Sequence, residues 1–285
     1  VVDPANAVGI LEIATLKTCG KNLVVESIFD TLDHRAPHHE ANPIKHETLR
    51  DLGAAVREYQ ADFGVAFDGD ADRIGIVDEY GTPVPQDIIG TIFAEELLRR
   101  KAGGTVVHDI RSTKRVREVI EALGGLPVAE RVGHTYIRRT MREHDAVLGV
   151  ELSGHYFFGD MYYSEGGARA VLLLIEILRN SGKKLSTLVH EHSVYAHSGE
   201  INSVITRTPG EIYEDIKKKY PHAHFDTKDG LTVTCDDWWC NIRPSATDPV
   251  LRLNLEAQTH EERDRLVTEV LALIRRDHRA HEGAD

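Results

Sequence analysis

The sequence predicts two successive α/β domains with mixed sheets, followed by a smaller α+β domain. Up to about residue 194, apolar runs typical of strands alternate with segments of helical periodicity, which is the pattern of α/β layers. Beyond that point, strands follow one another and a helix ends the pattern. With 285 residues, of which 41% are hydrophobic, the chain exceeds the usual size of one core. We therefore expect domains at residues 1–82, 83–194 and 195–285.

The predicted elements follow in that order. The first domain contains a strand at VVDPANAVG, the helix LRDLGAAVREYQ, and the strands DFGVAF and IGIVDEYG. The second begins with the helix DIIGTIFAEELLRR and continues with the strands GTVVHDI, LPVAERV and AVLGVEL, each followed by a helix. The third contains the strands GEINSVI, GLTVTCDD, WWCNI and VLRLNLEA. Its last helix starts at Thr259 and Glu262, which have the spacing of a capping box.

Charge and composition exclude several classes of partner. A net charge of −12 argues against nucleic acid and anionic membranes, because both need a clustered basic face. The longest apolar stretch, AVLLLIEIL, contains Glu176 and is far shorter than the roughly 20 residues of a membrane span. The cysteines Cys19, Cys235 and Cys240 form no C-x-x-C pair, which favours a reducing compartment. We expect a cytoplasmic protein with buried thiols and no nucleic-acid or membrane partner.

The stretch AFDGDADRIG concentrates three carboxylates at alternate positions. In extended backbone, Asp68, Asp70 and Asp72 point to the same side, while Gly69 and Ala71 leave room for tight bends. Carboxylates this close repel one another unless their pKa values rise or a cation binds. A site made of aspartates, with no His or Cys, favours Mg²⁺ over zinc. The sequence therefore predicts a magnesium site.

Two other interpretations of this stretch stay open. Asp68, Asp70, Asp72 and Glu79 occupy positions one, three, five and twelve of an EF-hand calcium loop. Against this, position six carries Arg73 where the loop needs glycine, and the flanking segments are predicted strands. The stretch is also consistent with a solvated acidic turn at a strand end.

A second polar stretch, GVELSGHYFF, follows a predicted strand. It places Glu151 and Ser153 at strand spacing before Gly154 and His155. A carboxylate and a hydroxyl at the carboxyl end of a strand can bind neighbouring sugar hydroxyls, since ligands favour that end of an α/β sheet. A polar strand end without a ligand is an equal alternative.

A third stretch, RPSATDPVLR, gathers groups suited to a phosphate. Arg243, Ser245, Thr247 and Arg252 surround an irregular turn. Arginine binds oxyanions through two parallel hydrogen bonds, and hydroxyls and turn N–H groups complete such a site. The alternative is a proline-rich connection with surface arginines.

Two further loops carry single candidates. RVGHTYIRRTM places Gly133 and His134 before a basic helical turn, and DIRSTKRV places Arg111 after a strand that ends at Asp109. With sixteen histidines in the chain, any one of them is more often structural than functional.

Taken together and in this order, FDGDADR, VGHTYIRR, GVELSGHYFF and RPSATDPVLR resemble the α-D-phosphohexomutases, in particular the phosphomannomutase/phosphoglucomutase branch. The likeness runs over nearly the whole chain. It implies an enzyme that moves phosphate between the 1- and 6-positions of a hexose, with a phosphoserine in the first of four domains and bound Mg²⁺. One departure is Ala-Asn-Ala at residues 5–7, where relatives often have Gly-Asn-Gly.

The resemblance also implies a role for each matched residue. Arg111 stands where many relatives have lysine and suits phosphate neutralisation or sugar orientation better than proton abstraction. Ala246 stands where Asn or Gly is frequent. The implied metal ligands are Asp68, Asp70 and Asp72, the implied catalytic residues are Arg73, Arg111 and His134, and the implied substrate-binding residues are Glu151, Ser153, His155, Arg243, Ser245, Ala246, Thr247 and Arg252.

The implied reaction passes through hexose 1,6-bisphosphate, as both intermediate and activator, and its partners are hexose phosphates. Leu152 favours mannose or glucose phosphates, because glucosamine-phosphate mutases often have glutamine there. None of the ten serines lies in a loop like the family's Thr-Ala-Ser-His-Asn-Pro. We therefore expect a fragment whose partner is a missing N-terminal domain and which has no turnover alone. A complete, non-catalytic phosphosugar-binding protein and a glucosamine-phosphate mutase are the alternatives.

Overall fold

The computed structural model describes residues 1–19, 22–245 and 249–276. Within these residues, the chain forms two compact units, one over Val1–Ser193 and one from Val194 onward. The first contains two mixed sheets with helices, and the second contains an antiparallel sheet with helices. The predicted fold class is therefore confirmed. Across the described ranges, every helix is too short or too polar to cross a membrane.

The first sheet has the strand order β1–β2–β3–β4, in which only the β1–β2 pair is parallel. Helix α2 shows the period expected of a half-buried helix, with Leu52 and Val56 fully buried. Strands β1 to β4 are, in order, Val2–Asp3, Gly64–Phe67, Ile74–Val77 and Pro83–Val84. The helices are α1 at Ile10–Thr18, a short 3₁₀ helix at His46–Leu49 and α2 at Arg50–Tyr59.

The second sheet has the order β6–β5–β7–β8–β9, and its parallel part consists of β5, β6 and β7. The carboxyl ends of these three strands therefore lie at one edge. Strands β5 to β9 are, in order, Thr105–Asp109, Leu126–Glu130, Leu148–Val150, Tyr156–Phe158 and Ser164–Glu165. Helices α3 to α7 are, in order, Gln86–Arg100, Lys114–Ala122, His134–Glu143, Gly167–Ser181 and Leu185–His192. A 3₁₀ turn lies at Gly159–Met161.

One apolar core joins these two sheets. The same cluster contains Val65 and Phe67 of the first sheet and Val106 and Leu148 of the second, together with α6 residues such as Leu174. Because this core is continuous, the loops at the ends of the two sheets are held at fixed positions relative to one another.

The second unit has the strand order β10–β14–β13–β12–β11, and all four pairs of neighbouring strands are antiparallel. One face of β13 and β14 is apolar and packs against the helices through residues such as Ile242 and Leu253. The elements are β10 at Ala196–Val204, α8 at Pro209–Lys219, β11 at His224–Asp226, β12 at Leu231–Thr234, β13 at Trp238–Pro244, β14 at Val250–Ala257 and α9 at His260–Ile274.

The three thiols do not share the expected environment. Cys240 is buried, as predicted, in the core of the second unit. Cys19 is exposed just after α1 and Cys235 is partly exposed, so the prediction was wrong for these two.

The loop after β1 holds a strained backbone at two residues that are not glycine. Ala5 and Asn6 have φ angles of +50° and +59°, a region that costs non-glycine residues about 1 kcal/mol or more each. The buried carboxylate of Asp3 accepts a hydrogen bond from the Ala5 backbone N–H. His38 Nδ1 lies 2.7 Å from Asn6 Oδ1, and His39 Nε2 lies 2.9 Å from Asp3 Oδ2. These side chains hold the loop in its strained conformation.

The geometry around His39 defines its charge. Its Nδ1 lies 2.9 Å from the carbonyl oxygen of Glu40, and its Nε2 faces the Asp3 carboxylate. Both partners accept hydrogen bonds, so both ring nitrogens carry protons and the ring is cationic. A buried Asp3–His39 ion pair therefore joins the end of β1 to the segment before α2.

We expect this ion pair to make folding stability depend on pH. The Asp3 hydrogen bond raises the pKa of His39 above 6.5, outweighing burial, with help from the Glu40 carbonyl and the charge of Asp51. The folded state then binds this proton more tightly than the unfolded chain. The stabilisation is complete below pH 6.5 and is lost as the pH rises through the folded-state pKa. The free energy of unfolding of wild type and His39→Gln, measured across this range, should converge at alkaline pH, and a constant difference would contradict the ion pair.

Candidate active site

The three aspartates of the predicted metal site lie in the turn between β2 and β3. Asp68 follows β2 directly and is 1% exposed, Asp70 is exposed, and Asp72 is half-buried. Ala71 has a φ of +65°, and this left-handed turn folds the segment back on itself. One carboxylate oxygen from each aspartate lies within 4.8 Å of the other two. The sequence spacing correctly predicted that these carboxylates converge.

Arg73 neutralises part of this charge. Its Nε donates to Asp68 Oδ2 at 2.6 Å, its backbone N–H donates to Asp68 Oδ1 at 3.1 Å, and its Nε lies 3.9 Å from Asp72 Oδ1. Burial nevertheless raises the pKa of Asp72, the charges of Asp68 and Asp70 raise it further, and His155 offsets only part of this effect. The cluster is therefore still short of positive charge.

This donor set fits a hard divalent cation. Carboxylate oxygens are the ligands that Mg²⁺ and Ca²⁺ prefer, and a bound cation would offset the burial and the neighbouring charges that raise the pKa of Asp72. The EF-hand interpretation is wrong, because the loop is flanked by β2 and β3 and not by helices. Glu79, its twelfth position, accepts hydrogen bonds from the backbone N–H and the hydroxyl of Ser186 at the start of α7.

The loop after β7 reaches this aspartate turn. Ile74 donates its backbone N–H to the carbonyl of Gly154 at 3.1 Å, and Arg73 and His155 form an isolated antiparallel bridge. Gly154 has a φ of +92°, and a Cβ there would lie 2.5 Å from the Ile74 carbonyl oxygen. Only glycine fits this crossing without displacement of the backbone.

His155 connects the aspartate turn to the second polar stretch. Its Nε2 lies 3.3 Å from Asp72 Oδ2, while its Nδ1 lies 2.9 Å from Glu151 Oε2 and 2.8 Å from Ser153 Oγ. Burial lowers the pKa of His155, but the hydrogen bond that the ring donates to Glu151 and the charges of Glu151 and Asp72 outweigh it, with Arg73 opposing them. The net shift is upward, which favours the imidazolium between two carboxylates.

Glu151 is 2% exposed and is held by neighbouring loops. Its Oε1 accepts the backbone N–H of Gly133 at 2.8 Å, and its Oε2 accepts the hydroxyl of Ser153 at 3.2 Å. His134, which begins α5, places its ring 6.4 Å from that of His155. The structure thus brings Glu151, Ser153, His155 and His134 together beside the aspartates.

Arg111 lies at the same edge of the second sheet but is 7% exposed. Its Nε and one terminal nitrogen donate to the two oxygens of Asp109 at 3.2 and 2.7 Å. Burial raises the pKa of Asp109, yet the charge and hydrogen bonds of Arg111 and the backbone N–H of Leu152 lower it overall. The Arg111 guanidinium is therefore held by an ionised carboxylate.

In the second unit, the predicted phosphate-binding arginines are direct neighbours across strands. Arg243 of β13 pairs with Arg252 of β14, and Arg252 donates to Ser245 Oγ at 2.8 Å. Glu200 of β10 lies 3.5 Å from the Arg243 guanidinium and 3.2 Å from that of Arg252. Glu200 offsets part of the positive charge of this pair, and a bound anion would offset more of it. Two further predicted residues, Ala246 and Thr247, lie outside the described residues.

Sequence reasoning missed several polar residues around these sites. Asp109 and Glu200 were not predicted, and neither has a local motif that points to it. Asn254 is fully buried next to Asn241, and neither atom of its amide has a hydrogen-bond partner among the described residues. The alternation of polar and apolar residues in VLRLNLEA predicts that Asn254 shares a face with Arg252, which is the signal that could have found it.

Fold and site together define a class: a multidomain α/β protein with an acidic cluster able to hold a divalent cation and an arginine pair on an α+β unit. Family models for successive domains match the chain. They are described as phosphoglucomutase/phosphomannomutase alpha/beta/alpha domain II over residues 1–81, domain III over residues 85–195, and the C-terminal domain over residues 200–273.

Relatives and solved structures agree with this match. A phosphomannomutase from Methanocaldococcus jannaschii is 39% identical over 247 residues, which cover 87% of this chain and 55% of that protein. A phosphomannomutase/phosphoglucomutase from Pseudomonas syringae pv. tomato is 34% identical over 93% of this chain and 58% of that protein. A family protein from Burkholderia thailandensis has a crystal structure with a TM-score of 0.85 and 29% identity, over 100% of this chain and 61% of that one. The chain spans little more than half the length of these relatives.

The chain belongs to the α-D-phosphohexomutase family, and the resemblance found in its sequence is confirmed.

Proposed function

We propose that this chain supplies the metal-, sugar- and phosphate-binding sites of an isomerase that interconverts hexose 1-phosphate and hexose 6-phosphate. The observation that carries the proposal is the position of His155. It contacts Asp72 of an acidic cluster on one side and Glu151 of a hydrogen-bonding loop on the other. A cation site and a site for hydroxyl groups therefore adjoin, as transfer of a phosphoryl group to a sugar requires.

Asp68, Asp70 and Asp72 would hold Mg²⁺ in the proposed enzyme. When bound, the ion would neutralise charge on the oxygens of a transferring phosphoryl group. Arg73 holds Asp68 through two hydrogen bonds, so it fixes the first carboxylate and adds positive charge at the same place. In this proposal Arg73 lies near the phosphoryl group and acts by electrostatic stabilisation.

The sugar would be oriented by the loop after β7. Glu151 accepts hydrogen bonds and Ser153 both accepts and donates, which suits two neighbouring hydroxyl groups. His155 and His134 form the adjacent wall. Arg111 would orient this loop through Asp109 and take no proton, since a guanidinium stays charged at all accessible pH values.

The phosphate that is not transferred would bind to the second unit. Arg243, Arg252 and Ser245 offer a forked donor, a second guanidinium and a hydroxyl. The resemblance adds Ala246 and Thr247 of the same loop to this site. We also propose domain boundaries at residues 82/83 and 194/195, which lie close to the ends of the family matches at residues 81 and 195.

The proposed reaction uses a serine phosphate from a domain outside these residues. A sugar hydroxyl oxygen attacks phosphorus, the serine oxygen–phosphorus bond breaks, and the serine oxygen receives the hydroxyl proton. The resulting hexose 1,6-bisphosphate reorients and returns its other phosphoryl group. Two facts support a partial chain: it spans 55% to 58% of curated relatives, and its matches are to domain II, domain III and the C-terminal domain. We propose that it has no turnover alone.

A turnover assay tests the proposal. The full-length protein encoded by the gene is incubated with mannose 1-phosphate or glucose 1-phosphate, Mg²⁺ and a trace of hexose 1,6-bisphosphate. We expect hexose 6-phosphate from the full-length protein and none from the 285-residue chain. Binding without turnover would instead favour a phosphosugar-binding protein, and preferential turnover of glucosamine phosphate would favour the glucosamine branch.

A further inference from the structure

Three neighbouring parallel strands of the second sheet end in buried carboxylates. Glu130 ends β6, Asp109 ends β5, and Glu151 follows the last residue of β7. Glu130 and Asp109 are paired in register, and His108 pairs with Val150, so the three carboxylates form a row. Buried carboxylates are costly unless donors satisfy them, so the donors of each one identify what it holds.

The middle carboxylate, Asp109, is fully buried and holds two different loops. Its Oδ1 accepts the backbone N–H of Arg111 at 2.7 Å, and the Arg111 guanidinium donates hydrogen bonds to both carboxylate oxygens of Asp109. Its Oδ2 accepts the backbone N–H of Leu152 at 2.9 Å. The loops after β5 and β7 are thus anchored to one side chain that no ligand can touch directly.

Leu152 lies between the two residues assigned to the sugar. Glu151 and Ser153 are its direct neighbours, and their side chains share a hydrogen bond of 3.2 Å. A fixed Leu152 N–H fixes the peptide planes on both sides of it, and hence the directions in which both side chains leave the backbone. Glu151 gains a second restraint from Gly133 of the loop after β6.

We propose that Asp109 is a positioning residue for the sugar site: its contacts with Arg111 and the Leu152 N–H hold Glu151 and Ser153 in the arrangement that binds hexose hydroxyls. The role of Glu151 and Ser153 rests on the proposed function, whereas the anchoring of Leu152 does not. Arg111 contributes by fixing the carboxylate through its fork, which a lysine ammonium cannot reproduce.

Calorimetry on the 285-residue chain tests this with two probes, mannose 1-phosphate and Mg²⁺. In Asp109→Asn, we expect the affinity for mannose 1-phosphate to fall by about tenfold, a typical cost when a group that orients binding residues is changed. The affinity for Mg²⁺ should change much less, because Asp109 reaches the aspartates only indirectly, through the loop after β7 and the contact of His155 with Asp72. Exchange of the Leu152 amide hydrogen should become about tenfold faster.

Two variants separate positioning from general damage. Asp78→Asn removes another buried carboxylate, which holds the backbone N–H groups of Tyr80 and Thr82 in the β3–β4 turn, and should leave mannose 1-phosphate binding unchanged. Arg111→Lys keeps the charge and should weaken mannose 1-phosphate binding by a smaller factor; it serves as the test if Asp109→Asn does not fold. Unchanged sugar-phosphate binding in both Asp109→Asn and Arg111→Lys, or equal losses for mannose 1-phosphate and Mg²⁺, would overturn the proposal.

The proposed function can fail separately. If the wild-type chain binds no mannose 1-phosphate, the sugar assignment of Glu151 and Ser153 is wrong. The Leu152 amide then decides the anchoring role of Asp109: faster exchange in Asp109→Asn supports it, and unchanged exchange overturns it.

Discussion

Replacing Asp70 by asparagine should lower the affinity of this chain for Mg²⁺ by about 100-fold while leaving the fold intact. Asp70 is exposed and accepts no hydrogen bond from the described residues, so the folded structure does not depend on its charge. Asparagine keeps the shape of the side chain but loses the charge that makes a carboxylate a strong ligand for a hard cation. Asp68 is unsuitable for this test, because it also holds Arg73.

Titration calorimetry with Mg²⁺ and thermal unfolding measure the two halves of this prediction. Asp62→Asn is the matched control, since it removes one exposed carboxylate just before β2 without touching the cluster. In the full-length protein, Asp70→Asn should abolish turnover. Equal Mg²⁺ affinities for wild type and Asp70→Asn would show that the cluster is a solvated acidic turn, the alternative that the sequence left open.

The elements with a strong pattern of their own were predictable from the sequence. Helices α3 and α6, each of 15 residues, and the buried strand β5 appear where their apolar runs predict them. The sequence reading missed β8 and β9, which have three and two residues and exist through pairing with β7 and with each other. Such short strands carry no period that could reveal them.

Helix α8 was missed although the sequence carried a signal for it. Thr208 and Glu211 form a capping box, and Pro209 occupies the first helical position. Helix α7 offers less, since it has eight residues and no side-chain cap. The first of these misses was avoidable and the second was not.

The residues of the candidate site also fall into a predictable group and an unpredictable one. Groups that are close in sequence, such as the aspartates at 68, 70 and 72, were found because strand geometry fixes their separation. Contacts across long sequence distances were not found. Asp109 meets Leu152 across 43 residues, and Glu200 meets Arg243 from a different strand. Such contacts arise from sheet order and register, which local patterns do not determine.

Arg243→Ala should weaken the binding of hexose phosphates by about 100-fold, or about 3 kcal/mol. Arg243 is 8% exposed and lies beside Arg252 and 3.5 Å from Glu200, so a phosphate that binds there would contact a partly desolvated guanidinium. Charge-assisted, paired hydrogen bonds of this kind are among the strongest that a protein makes to phosphate. In this variant the site keeps the guanidinium of Arg252 and the hydroxyl of Ser245, so we expect weaker binding and not a complete loss.

Two further variants show whether the fork or the charge matters. Arg243→Lys keeps the charge but offers a single point of contact, so we expect an intermediate loss of about tenfold. Arg265→Ala removes an exposed arginine that pairs with Glu269 on α9 and should change nothing, because α9 packs against the apolar face of the sheet. Calorimetry with glucose 6-phosphate measures all three variants. Equal affinities for wild type and Arg243→Ala would show that the phosphate binds elsewhere. Equal losses of affinity in Arg243→Ala and Arg265→Ala would show that only the net charge of the unit matters, and not the position of Arg243.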